Sequence, residues 1–131
     1  MKYGDKDTET TLKKLNPIPG KTSLYVCRED AAFFGAGNRA TAVVNNNPIG
    51  TLKPNNFAHA VLDPGRHDVW VKRNPGGDSG VLSFNGLAGE VVILWVGMTG
   101  GGFGTLTVDN FASRSQGEGC VRGAEYAVKA E

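Results

Sequence analysis

The chain predicts an all-β fold, an antiparallel two-sheet sandwich of about seven or eight strands. Three observations carry that expectation. Short runs of β-branched, aromatic and aliphatic residues recur along the chain, as in Ser23–Arg28, Ala40–Val44 and Arg66–Lys72. Glycine, proline and asparagine clusters separate them, and the 19 glycines and 6 prolines follow no collagen period. No run alternates with a convincing helical pattern, which argues against a parallel α/β sheet.

Taken in order, residues 1–16 are charged and threonine-rich, with only Leu12 and Leu15 apolar after the first residues. They read as a disordered or extended tail ahead of one β-domain over 17–131. Pro17-Ile18-Pro19-Gly20 stiffens and turns the chain, and Ser23–Arg28 is the first strand. Ala40–Val44 and Ile49–Leu52 flank Asn45-Asn46-Asn47-Pro48, a turn because asparagine tolerates positive φ. Phe57–Leu62 leads through the tight turn Asp63-Pro64-Gly65 into Arg66–Lys72. There, alternation sets His67, Val69 and Val71 on one face and Asp68, Trp70 and Lys72 on the other. Val81–Phe84 is the next strand. The apolar run Glu90–Val96 lacks alternation and fits a central strand buried on both faces. Gly97–Gly104 reads as a glycine loop, and Thr105–Val108 as the last clear strand. In residues 112–131, Gly117 and Gly119 oppose a long helix. Cys120–Val128 fits either a helical turn and a strand or one short helix.

At 131 residues and a net charge of +1, the chain has enough length to bury a core and shows no basic block of a nucleic-acid binder. The polar start has no apolar signal-peptide region, and the Val91–Val96 run is far shorter than a membrane helix. Cys27 and Cys120 are too few for a zinc site. Either they close one loop of about 94 residues, worth ~4 kcal/mol in the chain-entropy picture, or they stand as two buried thiols.

Three motifs imitate chemistry. Gly77-Asp78-Ser79-Gly80 resembles the nucleophile segment of chymotrypsin-like proteases, but one short chain cannot build the two barrels that hold such a triad, and Val81 departs from the pattern. Gly35-Ala36-Gly37-Asn38-Arg39-Ala40 matches a dinucleotide fingerprint, yet the β-branched run after it offers no helix N-terminus for a pyrophosphate. The 97–104 loop lacks the Lys-Ser/Thr ending of a phosphate loop. Bare amides there can still meet a ligand, with Gly101, Gly102 and Phe103 beside Trp70 as candidate contacts for a small molecule or carbohydrate. His59 and His67 lie equidistant from the turn at Asp63, so a hairpin sets them face to face, weak candidates for a metal pair that lacks a third ligand. No cofactor is expected, and no catalytic set survives, so the chain reads as non-enzymatic.

The order of segments resembles the bacterial DUF2846 family, which overlaps with PEGA-like β-sandwich modules. Ser23-Leu24-Tyr25-Val26-Cys27-Arg28 resembles its opening "LYVYR" strand, and Val43–Leu52 its "VYVNGKPIGEL" hairpin. Asp63-Pro64-Gly65-Arg66-His67-Asp68-Val69 resembles "PGxHxV", and Gly89 with the strand after it resembles "AGxxYxV". The resemblance spans about residues 17–110. Departures are Cys27 in place of an aromatic, the 97–104 loop and the longer tail. It implies a periplasmic or outer-membrane-associated bacterial protein with no assigned activity. Together with the sandwich pattern and the lack of a catalytic set, the expectation is a non-catalytic module that binds a protein or envelope component. The resemblance also implies a lipid anchor outside this chain as the sole membrane link, a hairpin-fixing role for His67, and an oxidised Cys27–Cys120 pair.

Overall fold

A computed structural model describes residues 6–28, 39–74, 78–99 and 105–127. They form helix α1 (Lys6–Leu12), strands β1 (Thr22–Arg28), β2 (Arg39–Val44), β3 (Asn47–Leu52), β4 (Asn56–Leu62), β5 (Gly65–Asn74), β6 (Leu82–Gly86), β7 (Val91–Thr99) and β8 (Thr105–Asn110), helix α2 (Arg114–Gly123) and the short β9 (Glu125–Tyr126). Two sheets result, a five-stranded one in the order β8-β7-β1-β4-β9 and a four-stranded one in the order β3-β2-β5-β6. The predicted two-sheet all-β fold is what the chain adopts.

The interior between the sheets is filled by alternate residues of both. Leu24 and Val26 of β1, Leu94 and Val96 of β7, Ala40, Ala42 and Val44 of β2, and Val69 and Val71 of β5 all meet there. The β2–β3 hairpin turns on Asn45 and Asn46 at φ 50° and 70°, the left-handed region that asparagine tolerates. β5 alternates as its sequence requires, with His67, Val69 and Val71 buried.

Four expectations are corrected. The five-stranded sheet is mixed rather than antiparallel, because β1 runs parallel to β7 and β4 parallel to β9. The Asp63-Pro64-Gly65 turn does not close a hairpin. β4 pairs with β1, and β5 with β2 and β6, so the turn crosses from one sheet to the other. Residues 97–99 belong to β7 rather than to a loop. A side chain at Gly97 would collide with the Trp95 indole, which lies across it.

The start of the chain supplies the fourth correction, while the short C-terminal helix and following strand are among the forms the sequence allowed. Residues 6–15 are not a tail, since α1 and Leu15 pack on the outer face of the five-stranded sheet beside α2. A second apolar cluster forms there from Leu15, Tyr25, Cys27, Phe57, Val91, Ile93, Val121 and Ala124. The Tyr25 hydroxyl donates to the Leu12 carbonyl (2.8 Å), and Glu9 accepts from the Tyr126 amide (2.9 Å). Burial raises the Glu9 pKa, but that amide and the Lys13 and Lys6 charges outweigh it and hold the carboxyl below its ordinary value. Helix α2 starts at a Ser113 cap whose side chain accepts from Gln116 N. Gly117 lies close against the sheet, where a Cβ would sit 3.2 Å from Ile93 and Phe111. A Cys27–Cys120 disulfide joins α2 to β1.

Candidate functional site

The two sheets present very different outer faces. That of the five-stranded sheet lies under α1 and α2. That of the four-stranded sheet carries no helix among the described residues, and its composition follows from strand alternation. With Ala40, Ala42, Val69 and Val71 turned inward, Arg39, Thr41, Val43, Arg66, Asp68, Trp70 and Lys72 turn outward.

Register then assembles these residues into rows across the strands. Pro48 pairs with Val43, and Val43 with Trp70. One step beyond the Val69–Leu82 pair lies Val81, which is 61% exposed. Pro48, Val43, Trp70 and Val81 thus form an apolar row across the sheet. Val43 is only 4% exposed although it points away from the core. The rows on either side are polar. On one side Asp68 stands opposite Ser83, whose hydroxyl donates to the Asp68 carboxylate at 2.6 Å, and Arg66 approaches the same carboxylate at 3.6 Å. Ser83 and Arg66 together hold the Asp68 pKa below its usual range. On the other side Thr41 pairs with Lys72 and shares a 3.1 Å hydrogen bond with Thr51, and the backbone of Asp78 forms an isolated antiparallel β-bridge with that of Lys72. An apolar centre with a satisfied polar rim is the anatomy of a contact surface rather than of a reaction centre.

Trp70 is therefore at a surface centre, while Gly101, Gly102 and Phe103 lie outside the described residues. His59 and His67 are not brought together. His59 is on the outer face of the five-stranded sheet, where its Nε2 shares a 2.7 Å hydrogen bond with Ser23 Oγ and its ring packs 4.7 Å from Tyr25. Burial pushes its pKa down to about 4. His67 points into the other sheet's core, beside Phe84. Its Nε2 donates to the Asp63 carbonyl and its Nδ1 accepts from Asn45 Nδ2, each at 2.7 Å. It thereby ties the β4–β5 turn to the β2–β3 turn. The face-to-face geometry behind a metal pair is thus overturned by the crossing of the chain between sheets. Among the described residues, no group of three or more His, Cys, Asp or Glu gathers to hold a metal ion.

The protease-like segment serves the backbone. Ser79 Oγ accepts from Val71 N and donates to the Gly80 carbonyl, both at 2.9 Å, and each histidine is engaged elsewhere. Of the dinucleotide-like segment, Arg39 and Ala40 are the first residues of β2, and Gly35 to Asn38 lie outside the described residues. A cleft of about 250 Å³ opens beside α2 over Val91, Ile93 and Phe111, smaller than most ligand pockets. The arginine on its rim, Arg114, is committed to the Val91 carbonyl and to Glu118. No family model, curated protein or solved structure matches this chain.

The apolar row was partly foreshadowed by the alternation that separates Trp70 from Val69 and Val71. Its other members were missed, because cross-strand neighbours depend on register, and the bulge between Ala42 and Val43 shifts it.

Proposed function

We propose that the chain is a non-catalytic bacterial envelope module that binds a protein, or another component of the envelope, through the outer face of its four-stranded sheet. The observation that carries this reading is the Pro48–Val43–Trp70–Val81 row with its polar rim, over which no described helix lies. Interface energy concentrates in such a half-buried aromatic, shielded by polar neighbours. Two features support the compartment. The Cys27–Cys120 bond suits an oxidising environment, and the segment order resembles a family of mostly secreted bacterial proteins.

A photoreactive side chain placed at Thr41 or Ser83 tests the reading in cells. Adducts are expected from both positions and should disappear when Trp70→Ala is added. The same probe at Gln116, on α2, should give none. Equal adducts from Gln116, or adducts indifferent to Trp70→Ala, would refute the assignment of the face.

A further inference from the structure

We infer that the partner on this face is a second copy of the same chain, packed with the two β5 strands antiparallel. The inference rests on the docking-face reading above and adds the identity of the occupant.

The charges on β5 point to this pairing. Asp68 and Lys72 both face outward, two residues before and two after Trp70. At about 3.3 Å per residue they stand some ~6.6 Å on either side of the indole. The strand thus reads acid, aromatic, base along its outward face. A two-fold axis that lies in the contact plane and crosses the strands at Trp70 reverses β5 of the second copy. Position 70 + k then meets position 70 − k. Each Asp68 comes to lie over Lys72 of the partner subunit, twice per pair. Asp78, level with Lys72, falls over Ser83 of the partner subunit, and Arg66 falls over position 74, so no like charges on β5 stack directly; the partner subunit's Arg39, opposite position 74, stands one strand, about 4.8 Å, to the side of Arg66. The alternative axis, parallel to β5, would set Asp68 on Asp68 and Arg66 on Arg66. Like-charge contacts of that kind exclude a register.

The apolar row obeys the same symmetry. Val43, Trp70 and Val81 lie across the strands, along the first axis, so each meets its own counterpart and apolar surface covers apolar surface. This is the isologous contact of a two-fold dimer. Four strands about 4.8 Å apart, over about seven residues, give a footprint of roughly 400 Å² per copy. The total buried stays under about 1,200 Å², the size of weak and reversible pairs. The dimer is therefore concentration-dependent and weakened by salt, since its specificity comes from two solvent-edged ion pairs.

Sedimentation velocity of the full chain at low salt, across a concentration series, tests this. The native chain should show a monomer–dimer equilibrium. Asp68→Lys stacks Lys on Lys, and Lys72→Asp stacks Asp on Asp, so each variant should lose at least tenfold in self-affinity. An equimolar mixture of the two restores both ion pairs and should dimerise like the native chain. That recovery also shows that both variants are folded. A native chain that stays monomeric throughout, or a mixture that fails to recover, overturns the inference. If it stays monomeric while Thr41 still yields Trp70-dependent adducts with other proteins, only the identity of the partner is wrong. If those adducts vanish as well, the docking face itself falls.

Discussion

The outer faces of the two sheets have solved the same problem in opposite ways. A β-sheet has two sides, and only one can line the central core. On the five-stranded sheet the second side is apolar, with Tyr25, Cys27, Phe57, Val91 and Ile93. It is closed by two short helices, an apolar cluster and a disulfide. On the four-stranded sheet the second side is polar at its edges and apolar only along one row, and no described helix covers it. The first arrangement stores stability in a layer recruited from the two ends of the chain. The second leaves a surface on which Trp70 is only half-buried and Val81 is exposed. The contrast predicts that stability and binding respond to different substitutions.

The largest effect should come from the bond between layers. Cys27→Ala with Cys120→Ala, or reduction of the native chain, releases a loop with a sequence separation of 93, at a cost of about 4 kcal/mol in the chain-entropy model. Chemical denaturation measures it. Hydrogen exchange should show where it acts. The amides of α2 and the Glu125 and Ala127 amides, which donate to Asn55 and Phe57, should lose protection before β2 and β5 do. Simultaneous loss in both sheets would mean that the helical layer is not a separable unit.

The next effect is a pH dependence confined to the covered face. His59 is half-buried against Tyr25, and its partial burial lowers its pKa from 6.5 to about 4. The folded state therefore binds its proton less well than the unfolded chain. Stability is full above about pH 6.5, declines as pH falls, and levels off near pH 4, a loss on the order of 3 kcal/mol. His59→Gln should flatten that segment of a stability-against-pH curve. Glu9 titrates lower, since its folded pKa lies below the ordinary carboxyl value. Its contribution is present above the unfolded pKa and is lost only as pH falls through the depressed one. If His59→Gln leaves the curve unchanged between pH 6.5 and 4, the burial of the imidazole is not what that face responds to.

These two effects involve residues whose roles were only partly legible in the sequence. Strands with clean alternation, β5 above all, declared both their existence and their faces, and so exposed Trp70. The Asn45–Asn47 turn was equally plain, because few residues accept its φ. What escaped were decisions made between distant segments. The turn at Asp63-Pro64-Gly65 has the composition of a hairpin whether its arms share a sheet or not, and the pairing of β4 with β1 decides against it. That choice separates His59 from His67. β1 was recognisable as a strand, but its complete burial was not, because the cover over Tyr25 and Cys27 comes from residues 6–15 and 111–127. Those segments are polar or glycine-rich and acquire their structure from the sheet they cover.

Helix α2 allows the smallest of these effects to be isolated, and it bears on whether the covering layer is held by its own sequence or by the sheet. Its ten residues, RSQGEGCVRG, include three glycines, each unfavourable in a helix interior by up to about 1 kcal/mol relative to alanine. Gly119 faces open space, with nothing near a would-be Cβ, whereas Gly117 is pressed against Ile93 and Phe111. Gly119→Ala should therefore stabilise the fold by roughly 0.5–1 kcal/mol, because it improves helix propensity without touching a neighbour. Gly117→Val should destabilise it, because a branched side chain must push α2 off the sheet and strain the second apolar cluster. Thermal melts of the two variants read both signs. Neither should alter binding on the four-stranded sheet, since α2 lies on the far side of the sandwich. A gain from Gly119→Ala, with unchanged recognition, would show the two faces to be independently adjustable. A shift in both would mean that the helical layer reaches through the core to the surface carrying Trp70.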